Sequence, residues 1–228
     1  MTASLDRDHV WQAIDAQRTS LTALLDDLAD DEWQQPSLCV GWTVRDVAAH
    51  LTMQQLGLRD ELRMLRKWRG SMDRTNEHVA RLRAAELTTG QIIAAIRGMI
   101  GSRRHNFGVT HLETLTDILV HSQDIAIPLG RRLDLAPDAA AVAASRNLSM
   151  RVPPPLPFVK KVARFRLTAT DTTWSAGEGP EVRGPMAALL LVCCGRLVAL
   201  PQLSGEGAAA LAARLSASGP TARSERTS

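Results

Sequence analysis

Asp117-Ile118-Leu119-Val120-His121-Ser122-Gln123-Asp124-Ile125 sets three titratable side chains at i, i+4 and i+7 within an otherwise apolar segment. At 100° per residue a helix brings these three within about 60° of one another, onto one face. A carboxylate and an imidazole one turn apart can chelate a divalent cation, and the remaining ligand must then come from another helix. His50 is the candidate. It lies in Thr43-Val44-Arg45-Asp46-Val47-Ala48-Ala49-His50-Leu51, where the small Ala48 and Ala49 let a second helix approach closely. His50, Asp117 and His121 as three protein ligands leave a position for water or a thiolate, as catalytic sites do and structural sites do not. Glu113, one turn before Asp117, and His111 are rival ligands, whereas His78 and His105 read as surface residues. A histidine on an apolar helix is commonly a hydrogen-bonded core residue, so spacing alone leaves the metal open.

Working outward, the helical pattern extends over most of the chain. Apolar residues recur at Val10, Ile14, Leu21, Leu24, Leu25 and Leu28, the three-four spacing of an amphipathic helix. Thr43 and Asp46 stand as a capping box, with Asp46 as a cap in preference to a partner for His50, and open a second helix expected to run to about Trp68. A short helix over Asn76–Ala85 follows, then one from Gln91 to about Arg103 capped at Thr88-Thr89, and one from about Val109 until Pro128 stops it. Four amphipathic helices with short connections predict a bundle.

Ala136–Met150 adds a further helix before Val152-Pro153-Pro154-Pro155-Leu156-Pro157, a proline run that reads as a stiff linker. Beyond it Phe165–Thr170 alternates like a strand, Asp171–Trp174 reads as a hairpin turn, and Gly184-Pro185 opens an apolar helix, Met186–Cys194, ended by Gly195. A last helix is expected over Gly207–Leu215. The sequence thus divides into a helical bundle over 1–150, a small α+β domain over 158–216 and a disordered tail over 217–228.

Composition narrows the function classes. Of 228 residues 45% are hydrophobic but only 4% aromatic, with no Tyr, so the core is built from Ala, Leu, Val and Ile. The charge balance is 27 basic against 24 acidic side chains, a formal +3, and demands no polyanionic partner. The basic run Arg59, Arg63, Arg66, Lys67, Arg69, Arg74 is interrupted by Asp60, Glu61 and Asp73 and reads as a solvated helix face, not a nucleic-acid surface. Three cysteines, two of them the adjacent Cys193 and Cys194, make a poor disulfide framework and fit a reducing cytoplasm. The vicinal pair reads as packing, and Cys39 as structural. No signal peptide and no membrane span is read from the sequence.

The segment Pro36-Ser37-Leu38-Cys39-Val40-Gly41-Trp42-Thr43-Val44-Arg45-Asp46-Val47-Ala48-Ala49-His50-Leu51 resembles the first metal-ligand motif of the mycothiol-dependent maleylpyruvate isomerase family. Asp117 through Ile125, continuing to Pro128-Leu129-Gly130-Arg131, is similar to the second, in which an acidic residue four before a histidine binds the metal with it. Here that acid is Asp117, where the isomerase carries the longer Glu. Ala169-Thr170-Asp171, Trp174, Gly179-Pro180-Glu181-Val182, Gly184-Pro185 and Gly195-Arg196 are similar to the family's C-terminal module.

The resemblance implies a mainly α protein: a DinB-like four-helix bundle with a small C-terminal α+β domain. It implies a divalent metal, zinc or a similar ion, on His50, Asp117 and His121, with mycothiol as cosubstrate and Arg196 as the residue that helps bind or polarise substrate. An activated thiolate can isomerise a small electrophile by addition and elimination, or be transferred to it, so isomerase and thiol transferase are two outputs of one site. The other reading is a non-catalytic DinB-like module that binds metal or a partner. The oligomeric state stays open, a homodimer included.

Overall fold

The computed structural model describes residues 6–57, 67–150 and 157–217. The described chain forms two compact units, one within Leu5–Ala139 and one from Ala140 onward. That division falls ahead of the proline run read as a linker, most of which, with the tail after 217 and the arginines at 59, 63 and 66, lies outside the described residues.

The first unit is built from helices α1 (Arg7–Asp26), α2 (Val44–Leu51), α3 (Met72–Glu86), α4 (Thr89–Arg97) and α5 (His111–Ala126). Each begins where the chain supplies a cap. Asp6 accepts from the His9 N–H (2.9 Å), and capping boxes open α2 (Thr43 with Asp46), α4 (Thr88 with Gln91) and α5 (Thr110 with Glu113). α1 packs on α4 and α5, and α2 packs on α3, α4 and α5, so α1, α2, α4 and α5 form a bundle with α3 flanking it. The core between them is aliphatic: Val10, Ile14, Leu21 and Leu25 of α1, Val44, Val47 and Leu51 of α2, Ile92 and Ile96 of α4, Leu115, Ile118 and Leu119 of α5. Each such side chain contributes roughly 1.5–3 kcal/mol on burial.

Two helices stop earlier than their patterns suggest. α2 ends at Leu51 instead of reaching Trp68, because Thr52 N–H bonds Ala49 O (3.1 Å) and Met53 N–H bonds His50 O (2.9 Å). This tightens the last turn and sends the chain back toward the bundle. α4 ends at Arg97 instead of Arg103, with Gly101 in the left-handed region at φ 81°. α3, in contrast, is longer than the expected Asn76–Ala85, and Arg45 from α2 closes its C-terminal end, donating to Ala84 O (3.0 Å) and Leu87 O (2.7 Å).

α6 (Pro137–Ser149) runs into the second unit, which continues with α7 (Pro157–Val162), β1 (Arg166–Ala169), β2 (Ser175–Ala176), β3 (Glu181–Gly184), α8 (Met186–Cys193) and α9 (Ala208–Ser216). The sheet order is β2-β1-β3, with β2 antiparallel and β3 parallel to β1. Leu167 and Ala169 turn inward, as the alternation predicts. Asp171, in the hairpin turn, accepts from Met186 N–H (2.8 Å) and so caps α8, and Gly195 at φ 82° ends that helix. Cys193 and Cys194 are buried, burial pushing the Cys193 thiol up, while Asn147 donates to Cys194 Sγ (3.0 Å).

Because Thr43 both caps and orients the helix that carries His50, Thr43→Ala should lower unfolding stability by about 1 kcal/mol in urea denaturation. A change within about 0.3 kcal/mol would show that the cap adds nothing.

Candidate metal centre

His50 sits in the last turn of α2, and Asp117 and His121 sit one turn apart on α5. Ala48 and Ala49 are fully buried. Trp42, just before the α2 cap, meets the His50 ring edge-on with centroids 5.6 Å apart and limits its rotation.

The three side chains converge. His50 Nε2 and His121 Nε2 each lie 3.3 Å from the same oxygen, Asp117 Oδ1, with the imidazole rings at 78° and their centroids 5.0 Å apart. All three ligand atoms lie within 4.8 Å of one another, and the side chains are 19%, 29% and 17% exposed for His50, Asp117 and His121. A charge-assisted N–H···O bond is shorter, about 2.7–2.9 Å. Donors about 2.0–2.1 Å from a tetrahedral ion stand roughly 3.3–3.4 Å apart. Two imidazole nitrogens and one carboxylate oxygen also form a donor set suited to zinc and its neighbours. The residues present fit a divalent ion.

A second group of potential ligands, Cys39, His121 and Asp124, adjoins the first. His121 Nδ1 lies 2.8 Å from Asp124 Oδ2, a hydrogen-bond length, and the Cys39 thiol donates to the same oxygen at 3.2 Å. Asp124 is fully buried and its carbonyl accepts from Leu38 N–H (3.1 Å), tying the Cys39 loop to α5. Assigned from this network, the His121 proton belongs on Nδ1, which turns the Nε2 lone pair toward Asp117. Asp124 therefore orients His121, and Cys39 supports Asp124.

The other Asp117 oxygen is also engaged. Gln54 Nε2 donates to Oδ2 (2.7 Å), and Gln54 Oε1 accepts from Arg18 Nη2 (3.1 Å). Beside the trio opens a cavity of about 330 Å³, lined by His50, Gln54 and Asp117 and by the apolar Met53, Phe107 and Val109.

Burial alone would raise the Asp117 carboxyl, but His50 and His121 hold it well below its ordinary 3.8. Burial alone would lower the His121 imidazole, but Asp117, then Asp124 and Cys39, raise it well above 6.5.

The rival ligands go elsewhere. Glu113 accepts from the Thr110 N–H (2.7 Å) to cap α5, and His111 stacks on Trp11 at 6.2 Å. Asp46 serves the α2 cap, accepting from Thr43 N–H at 2.9 Å. Arg196 belongs to the second unit, where its Nη1 donates to Cys194 O (2.7 Å). Sequence reasoning passed over Gln54, Arg18 and the site contact of Cys39. Gln54 offered a weak signal, four residues after His50, while Arg18 and Cys39 reach the site only through long-range folding.

Residues 14–108 match the family described as the mycothiol maleylpyruvate isomerase N-terminal domain. That span holds Arg18, Cys39, His50 and Gln54. The fold is similar to a crystal structure of the mycothiol-dependent maleylpyruvate isomerase, at 14% identity and a TM-score of 0.56, over 84% of this chain and 90% of that one. It is equally similar to a histidine-to-alanine mutant of that enzyme, at 13% identity and a TM-score of 0.55 over the same shares. The mainly helical, DinB-like fold is common to them. No curated protein matches the chain by sequence.

A histidine whose folded pKa is raised adds stability that is complete below its unfolded pKa and is lost as pH rises through the folded value. Unfolding free energy of the metal-free protein should therefore fall from about pH 6.5 upward. His121→Gln should flatten that fall in urea titrations across pH, and identical profiles would contradict the pairing.

Proposed function

We propose that this chain, whose residues 14–108 match the mycothiol maleylpyruvate isomerase N-terminal domain family, is a divalent-metal-dependent enzyme that activates a low-molecular-weight thiol against a small electrophile. The observation that carries the reading is the pair of imidazole nitrogens standing 3.3 Å from one carboxylate oxygen, beside a cavity that His50 and Asp117 line.

His50 Nε2, His121 Nε2 and Asp117 Oδ1 are the proposed metal ligands. A divalent ion there would lower the pKa of a thiol sharing its open position, so that thiolate is available at neutral pH. Asp124 keeps the proton on His121 Nδ1, so Nε2 faces the centre as a lone pair. Met53, Phe107 and Val109 give the cavity an apolar side that suits a small electrophile near Asp117. In the isomerising output the thiolate sulfur bonds to a conjugated carbon and the displaced electron pair moves to the carbonyl oxygen. Rotation occurs about the bond that has become single, and return of the pair expels the thiolate unchanged. In the transfer output the same sulfur displaces a leaving group and the thiol is consumed. The family supports mycothiol as the thiol and isomerisation as the output. Arg196 is proposed to assist substrate binding on the resemblance of its motif.

A cytoplasmic setting accords with three cysteines that form no disulfide among the described residues. Among the described residues no helix is long and apolar enough to cross a membrane.

Elemental mass spectrometry of untagged protein should find about one divalent ion per chain, and none in the double variant His50→Ala, His121→Ala. The loaded parent should then isomerise or conjugate conjugated electrophiles only when thiol is added. A parent that takes up no zinc at neutral pH contradicts the metal centre. Stable metal without thiol-dependent turnover contradicts the enzymatic reading and favours a non-catalytic module.

A further inference from the structure

Asp117 has two oxygens but shows only one to the histidines. A carboxylate on a metal can bind through one oxygen or through both, and binding through both would occupy the position a thiol needs. What stands on Oδ2 therefore matters as much as what stands on Oδ1.

Gln54 stands there, in the turn that follows α2, 4% exposed and with its Nε2 at 2.7 Å from Oδ2. Which end of the amide faces the carboxylate is fixed by chemistry. Arg18 Nη2, a donor only, lies 3.1 Å from Oε1. The flipped amide would set donor against donor at Arg18 and acceptor against acceptor at Asp117. Arg18 in turn is fully buried, with Nη1 bonded to Met99 O (2.9 Å) and its nearest carboxylate oxygen in Asp15 at 3.7 Å. A buried guanidinium is costly unless it is spent on polar partners. Here it points one N–H at the amide that caps the metal-facing carboxylate. The three groups line up as donor to acceptor twice over, an arrangement in which each bond polarises the next.

We infer that Gln54, locked in orientation by the buried Arg18, is a positioning residue that caps Asp117 Oδ2 and keeps the carboxylate a one-oxygen ligand, so the centre retains an open position. The inference rests on the metal-centre reading above. A merely structural tie between α1 and the end of α2 would affect folding stability but not the coordination of the ion.

The test is Gln54→Met, close in volume and without the amide, measured with zinc and cobalt(II) alone. Competition against a chromophoric chelator should show zinc affinity at least about tenfold below the parent, in protein whose circular dichroism is unchanged. Cobalt(II) in the variant should absorb more weakly in the visible than in the parent, because a second carboxylate oxygen raises its coordination number. Zinc affinity within twofold of the parent, or an unchanged cobalt spectrum, overturns the inference. Gln54→Ser is read in the same way where the methionine variant does not fold. A parent that binds no zinc fails one step earlier and overturns the metal centre itself, the inference with it.

Discussion

Oδ1 of Asp117 faces two imidazole nitrogens at once, each 3.3 Å away, on a side chain too short to reach far from its own helix. Asp117 and His121 meet because they are one turn apart on α5, but His50 arrives from α2, so its distance is set by how closely two helix backbones can pack. Ala48 and Ala49 carry no bulk beyond Cβ and are fully buried. The capping box at Thr43 and the Arg45 clamp on the end of α3 hold α2 against its neighbours. Apolar packing between these helices supplies the energy that brings three polar groups together.

Around the trio every outward-facing polar atom of Asp117 and His121 is engaged. Asp124, with the Cys39 thiol on the same oxygen, holds His121 Nδ1, while Gln54 and Arg18 hold Asp117 Oδ2. Length separates the contacts made directly by the trio: the bonds to Asp117 Oδ2 and His121 Nδ1 are 2.7 and 2.8 Å, and the approaches to Asp117 Oδ1 are 3.3 Å. The longer distances match ligands around an ion, and the shorter ones match charge-assisted hydrogen bonds. In the metal-free protein the raised His121 pKa means that a proton and a cation compete for the same nitrogen.

Local chemistry was legible in the sequence where it is carried by short spacings. Thr43 with Asp46 placed the start of α2 near Val44, Thr88 pointed to α4, and the i, i+4, i+7 face of Asp117, His121 and Asp124 was readable before any fold was known. Helix ends were less legible. α2 stops at Leu51 because its last carbonyls close through Thr52 and Met53, which an apolar pattern running on to Leu58 does not reveal. Gln54 falls within the stretch the pattern reads as one long helix, with nothing local to single it out, yet it is buried against Asp117. Arg18 sits on the amphipathic pattern of α1 as a charged residue yet is fully buried, and only the fold shows what it points at. Cys39 lies 82 residues from His121 in sequence, and no local rule connects them.

The chemistry of the site turns on where a cation binds. Anomalous diffraction at the zinc edge, on crystals grown with stoichiometric zinc, tests this most directly. The expected result is a single peak about 2.0–2.2 Å from His50 Nε2, His121 Nε2 and one oxygen of Asp117, with Gln54 still on the other oxygen. A peak bonded to Cys39 Sγ and Asp124, or no ordered zinc between α2 and α5, would contradict it.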